Sequence, residues 1–206
     1  HLRGRYPTLE WLVGTDRMVA LADATLRRSP PRAPSLAEYG AALIDTVAAD
    51  ADLPPYLADV ARLDWTLGRL AVAVDARSLS ISALAEHPAQ TLPELRLHLQ
   101  PGLAYIASGW PVDTLVHLHL RDSAPDTLAF APENVWLQLR GARGQFALQR
   151  LDPAVLSLRQ HLTEGATLGE AIAAALTVTP DFDVSGALAT LFAEGLVTSV
   201  SAGDTP

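Results

Sequence analysis

Six histidines, at positions 1, 87, 98, 117, 119 and 161, are the first side chains to test for chemistry. The chain has no cysteine, so a transition-metal site would need imidazole and carboxylate ligands. His117 and His119 are two apart, a spacing that puts both rings on one face only in a strand. Behind Pro111, however, Val112, Leu115, Val116 and His119 recur at helical spacing, so a helix over 111–121 is the better reading and the two rings diverge. His98 is the only plausible third ligand. The histidines are therefore expected at the surface or in ordinary hydrogen bonds, with no metal site in this chain. Asp50 with Asp52, and Asp181 with Asp183, are paired carboxylates beside prolines or helix starts, where capping of free backbone amides accounts for them without acid–base catalysis. No serine sits in a G-x-S-x-G elbow, and neither G-x-G-x-x-G nor a P-loop occurs. All 15 basic residues are arginine, which removes Schiff-base and P-loop lysines, and the lack of cysteine removes disulfides, thiolate ligands and a thiol nucleophile. No catalytic residue can be named, and a non-enzymatic role is expected.

The formal net charge is −8, with a pI near 5.1. Binding along a phosphate backbone depends on excess cations that displace counterions, so nucleic acid is a poor partner. No apolar run approaches the ~20 residues needed to span a bilayer, and no charged-then-apolar leader opens the sequence, which predicts a cytoplasmic protein without membrane attachment. The chain begins with histidine rather than methionine, so either its natural start is expected upstream or His1 is foreign to it.

The element with the strongest signal is the stretch Leu53 to Trp65, LPPYLADVARLDW. Leu57, Val60, Leu63, Leu67, Leu70 and Val74 follow at spacings of three and four, the stripe of a long core helix entered through Pro54 and Pro55. Trp65 and Arg69 are four apart, so the guanidinium is expected over the indole. Ahead of it, Tyr6-Pro7 opens a short helix ended by Gly14. Thr15 is expected to cap a second helix with Met18, Leu21, Ala22 and Leu26 on one face, stopping before Pro30-Pro31. Ser35-Leu36-Ala37-Glu38 reads as a capping box for a third helix that buries Leu36, Tyr39, Leu43, Ile44 and Val47. These four make a helical bundle, with a domain boundary in the looser stretch from Ser78 to Pro93.

Beyond the boundary the period changes. Leu95, Leu97 and Leu99 alternate with Arg96 and His98, and Leu103 to Ala107 follows Pro101-Gly102, which predicts strand, turn and strand. Val135 to Arg140 and Gln145 to Leu151 flank Gly141-Ala142-Arg143-Gly144 as a hairpin. Three helices follow, started by Asp152, Thr167 and Asp183 at their caps, and Leu196-Val197 closes the fold. The expected class is α+β: a helical bundle over 1–88, a smaller domain with an antiparallel sheet over 94–200, and a disordered tail over 201–206.

From Trp136 to Val200 the order of hairpin, helix, Thr167-Leu168-Gly169-Glu170-Ala171 helix start, Leu188 to Leu191 and Gly195-Leu196-Val197 resembles the PqqD-type module. That module is a winged-helix-like element that holds leader peptides for enzymes modifying ribosomally made peptides. In the other half Tyr6-Pro7, the Pro30-Pro31 step, Leu36-x-Glu38-Tyr39-Gly40 and LPPYLADVARLDW look like the HvfC/BufC family, which includes MbnC-like partner subunits, and the likeness extends over nearly the whole chain. The resemblance implies a non-catalytic subunit that binds a precursor peptide and forms a heterodimer with a TIM-barrel, multinuclear non-haem iron enzyme oxidising cysteines in that peptide. The iron would then belong to the partner, with no cofactor in this chain. Methanobactin-like and bufferin-like pathways are not distinguished by it. A helix-turn-helix regulator is the rival, because such proteins end in a similar way. In that case Pro180 to Glu194 would enter a major groove, yet this stretch has no Arg, Lys, Asn or Gln and carries Asp181, Asp183 and Glu194. A scaffold without peptide recognition is a third possibility.

Because the hairpin is followed directly by helices, its second strand is expected to be a sheet edge. An extended peptide would pair there along Gln145, Phe146, Ala147, Leu148 and Gln149, resting against the helix of Val184 to Glu194. Phe146, Leu148 and Arg150 share one face by alternation, the alternative being that Phe146 and Leu148 are core. Arg143 or Arg150 would pair with acidic residues of the peptide.

Overall fold

The computed structural model describes residues 3–30, 39–121 and 130–202. The Ser35–Glu38 capping box and residues 203–206 lie outside the described residues. The chain is a mixed α+β protein with two small sheets. It divides into two compact units, each discontinuous in sequence: His1–Arg69 with Ala107–Val135, and Leu70–Ile106 with Trp136–Pro206. The stretch between 78 and 93, expected to separate domains, instead lies within the second unit. It holds two 3-10 helices, Ile81–Glu86 and Ala89–Glu94.

The first unit contains α1 (Pro7–Val13), α2 (Thr15–Arg28), α3 (Ala42–Ala48), nearly all of α4 (Tyr56–Leu70) and α5 (Val112–Leu120). Leu57, Val60, Leu63 and Leu67 on α4 are buried, each worth roughly 1.5–3 kcal/mol of transfer free energy. The stripe ends with the helix at Leu70, so Val74, expected on it, lies beyond the last turn and is 62% exposed. Two further expectations, one of capping and one of cation placement, also fail. Thr15 is the first helical residue of α2, with Gly14 at the cap position, and its hydroxyl donates to Glu10 instead. The cation over Trp65 is Arg5, 5.3 Å from the ring, rather than Arg69. Tyr6 stacks on the indole at 6.1 Å and donates its hydroxyl to the Gly40 carbonyl. A Cβ at Gly40 would stand 2.0 Å from the same indole, so only glycine lets the backbone pass there.

No side chain at the cap position of α1 satisfies its first amides. Asp64, buried on α4, accepts from Leu9 N–H at 2.9 Å and does so from 55 residues away. Burial pushes this carboxyl up to about 6, against the lowering effect of the Leu9 and Thr8 hydrogen bonds. Burial, with the Asp64 charge adding to it, also raises the Tyr6 phenol well above its ordinary value.

The second unit is built on β1 (Leu95–Leu99), β2 (Leu103–Ser108, through Ile106), β3 (Val135–Ala142, from Trp136), β4 (Gln145–Arg150), α6 (Pro153–Thr163), α7 (Leu168–Val178), α8 (Val184–Ala193) and β5 (Val197–Ala202). β1 and β2 do not form one hairpin. β1 pairs antiparallel with β5, from Leu95 opposite Ala202 to Leu99 opposite Val197 with an irregularity after His98, whereas β2 joins a separate sheet of order β2-β3-β4. Ser201 and Ala202, placed in a tail by the sequence, are thus strand residues. Leu97, Leu158, Leu162, Ala171, Ala175, Leu191, Leu196 and Val197 meet in one core. The Thr167–Glu170 capping box forms at α7, and Asp183 caps α8 through Gly186 N–H. Asp152 stands at the cap of α6 but its side chain makes no capping bond.

Glycine governs how closely the hairpin can approach its neighbours. Gly141 N–H donates to Gly102 C=O at 2.8 Å, and a Cβ on Gly141 would lie 2.6 Å from Leu70 Cβ. Gly144 and Arg143 donate to the carbonyls of Ala71 and Ala73, fixing the turn on the segment after α4.

Candidate functional site

The hairpin is tighter than its four-residue loop suggested. Ladder pairing runs through Ala142 opposite Gln145, leaving Arg143 and Gly144 as a two-residue turn with φ of 50° and 81°, the sign pattern of type I′. In such a turn the flanking residues form a hydrogen-bonded pair, and alternation extends that role to Arg140–Ala147 and Gln138–Gln149. The bond from Leu151 N–H to Trp136 C=O, at 2.7 Å, keeps the same phase. The backbone N–H and C=O of Phe146 and Leu148 consequently turn away from β3. Among the described residues no strand lies beyond β4, so these groups form an open edge.

The residues singled out along this strand are accessible. Gln145, Phe146, Ala147, Gln149 and Arg150 are exposed and Leu148 is half-buried. Phe146, 40% exposed, is not a core residue. Arg143 sits at the hairpin tip, away from the strand's length, and Arg150 already has an interaction partner. A hollow of about 200 Å³ lies beside Ala147 and Gln149, bounded by Gln138 and Arg140 on β3 and by Glu194 and Leu196 just after α8.

Behind the hollow lies a charged network that the sequence pattern did not single out. Arg159 of α6 is 1% exposed and donates through Nη1 to Gln138 Oε1 and Glu194 Oε2, both at 2.7 Å. Its Nε is buried without a partner. Glu194 is only half-buried, so removing it is the costly change: it leaves the buried Arg159 guanidinium uncompensated, a loss of up to about 3–5 kcal/mol. Arg140 reaches the Glu194 carbonyl at 3.3 Å and Asp75 at 3.4 Å. Burial pushes the nearby Tyr105 phenol up to about 12, and the Arg159 charge opposes the shift. A signal was present: Arg159 falls between Leu156 and Leu162 at spacings of three, on the stripe α6 buries, where a solvated cation does not belong.

The other candidates separate. His117 and His119 lie on α5, with the His119 ring 5.5 Å from Trp11, while His98 Nε2 is 2.9 Å from Ser201 Oγ. Asp50 pairs with Arg17 at 2.7 Å and accepts from Asp52 N–H. Among the described residues no group of three or more His, Asp or Glu side chains is placed to hold a metal ion, and no helix is long and apolar enough to cross a membrane. Compared with known proteins, the sequence matches no family model and no curated protein.

Proposed function

We propose that this chain is a non-catalytic accessory subunit that binds a precursor peptide and forms a heterodimer with a cytoplasmic TIM-barrel, multinuclear non-haem iron enzyme acting on cysteines of that peptide. In this reading α1–α4 are a helical bundle used mainly for the enzyme, and β3, β4 and α6–α8 are a winged-helix-like peptide-recognition module. The observation that carries it is the open edge of β4. Phe146 and Leu148 present backbone donors and acceptors outward, and a side-chain hollow lies next to them. An extended peptide binds such an edge through main-chain hydrogen bonds while pockets select its alternate side chains. The iron stays with the enzyme. The DNA-binding alternative draws no support from α8, which carries no basic residue.

Co-expression with a multinuclear non-haem iron enzyme from the same source tests the reading. The two chains are expected to co-purify in equal amounts, with iron in the enzyme and turnover only in its presence. A chain that stays alone beside that enzyme, or that carries stoichiometric iron by itself, overturns the proposal.

A further inference from the structure

We infer that the hollow beside Ala147 is a selectivity pocket for a carboxamide side chain, asparagine or glutamine, on a peptide paired to β4. This rests on the reading of β4 as the peptide-binding edge. Arginine has only donors, so the Gln138 atom that meets Arg159 at 2.7 Å is the amide oxygen, and the Gln138 NH₂ is left as the donor for the hollow. Glu194 supplies the complementary acceptor. One of its oxygens takes the bond from Arg159, and the carboxylate keeps further lone pairs. Gln138 and Glu194 both line the hollow, so it offers a donor and an acceptor together, the pattern a carboxamide satisfies from both of its ends.

Charge argues the same way. Arg159 is balanced by Glu194 and Arg140 by Asp75, so the surroundings are neutral. A carboxylate in the hollow would meet Glu194, and an ammonium would meet Arg140. The position follows from the pleat: Ala147 and Gln149 share the face of Arg140 and Gln138, and the small Ala147 side chain leaves the opening. A peptide residue lying alongside Ala147 on that face drops its side chain into the hollow, with Leu196 against its methylenes. The pair of hydrogen bonds is expected to give about tenfold tighter binding than alanine at that position.

The probe is a display library of randomised 12-residue peptides selected on the immobilised full chain, with binding of individual peptides read by fluorescence anisotropy. Selected peptides should share Asn or Gln at one position, and alanine there should weaken binding about tenfold. Ala147→Phe fills the hollow from an exposed strand position and should abolish that difference, so amide and alanine peptides bind alike. Gln138→Leu should do the same, and Ala147→Phe keeps the test valid if the buried substitution does not fold. Peptides that depend on the β4 edge, shown by loss of binding to Phe146→Pro, but prefer aspartate, lysine or nothing at every position would overturn the carboxamide assignment and leave the edge reading standing. A library that yields no binders overturns the edge reading and this inference with it.

Discussion

Asp64 puts a carboxylate in a dry position to serve as the cap that α1 lacks, and the consequence is a pH dependence opposite to that of most acidic residues. Its folded-state value of about 6 lies above the ordinary 3.8. The folded protein therefore holds this proton more tightly than the unfolded chain does, and the stabilisation is complete below about pH 4 and lost as pH rises through about 6. A rise of this size corresponds to about 3 kcal/mol. Asp64→Asn keeps a carbonyl to accept from Leu9 N–H and cannot titrate. The advantage of the parent over Asp64→Asn should shrink by about 2–3 kcal/mol between pH 4 and pH 7.5, measured by urea denaturation of both proteins. A gap that stays constant across this range would show that Asp64 does not carry the proton.

At the level of elements, the phase of the β3–β4 ladder decides which backbone groups a binding partner can use. Ala147 exchanges its hydrogen bonds with Arg140, so Ala147→Pro removes a bond inside the hairpin and should unfold it. Phe146→Pro removes an amide that faces outward, as edge prolines do, and should leave the thermal midpoint within a few degrees of a Phe146→Ala control. Peptide binding should fall at least tenfold relative to that control. Equal binding by the two variants would count against backbone pairing along β4. The hairpin was legible in the sequence because Gly144 and the alternation on either side of it are local, and so was the Thr167–Glu170 box. The partners of β1 and β2 were not, since Leu97 faces Val200 across more than a hundred residues and adjacency in sequence suggested a hairpin that does not form. The same reason hid Arg5 behind the nearer Arg69 at Trp65, and hid Gln138 and Glu194 as companions of Arg159. Distance along the chain, rather than any oddity of residue type, separates what could be read from what could not.

For the whole molecule, the division into units makes a contiguous helical domain an unstable object. Val112, Leu115 and Val116 of α5 are buried in the first unit, and Ser108 donates to Asp59 at 2.7 Å, yet these three and Ser108 all follow residue 88. Losing three such side chains forfeits roughly 5–9 kcal/mol, comparable to the whole stability of an ordinary domain. A fragment of residues 1–88 should therefore melt without cooperativity and lack the near-ultraviolet circular dichroism of an ordered Trp65. A sharp melt from that fragment would show that α5 is dispensable.

The interrupted layout also bears on synthesis. Residues up to Arg69 leave the ribosome with most of the apolar stripe of α4, but the unit is not complete until Val135 has followed. At roughly 5–20 residues per second that is a delay of several seconds. Throughout it, Leu57, Val60 and Leu63 are presented by a nascent chain that has no finished surface to cover them, the state that holdase chaperones recognise.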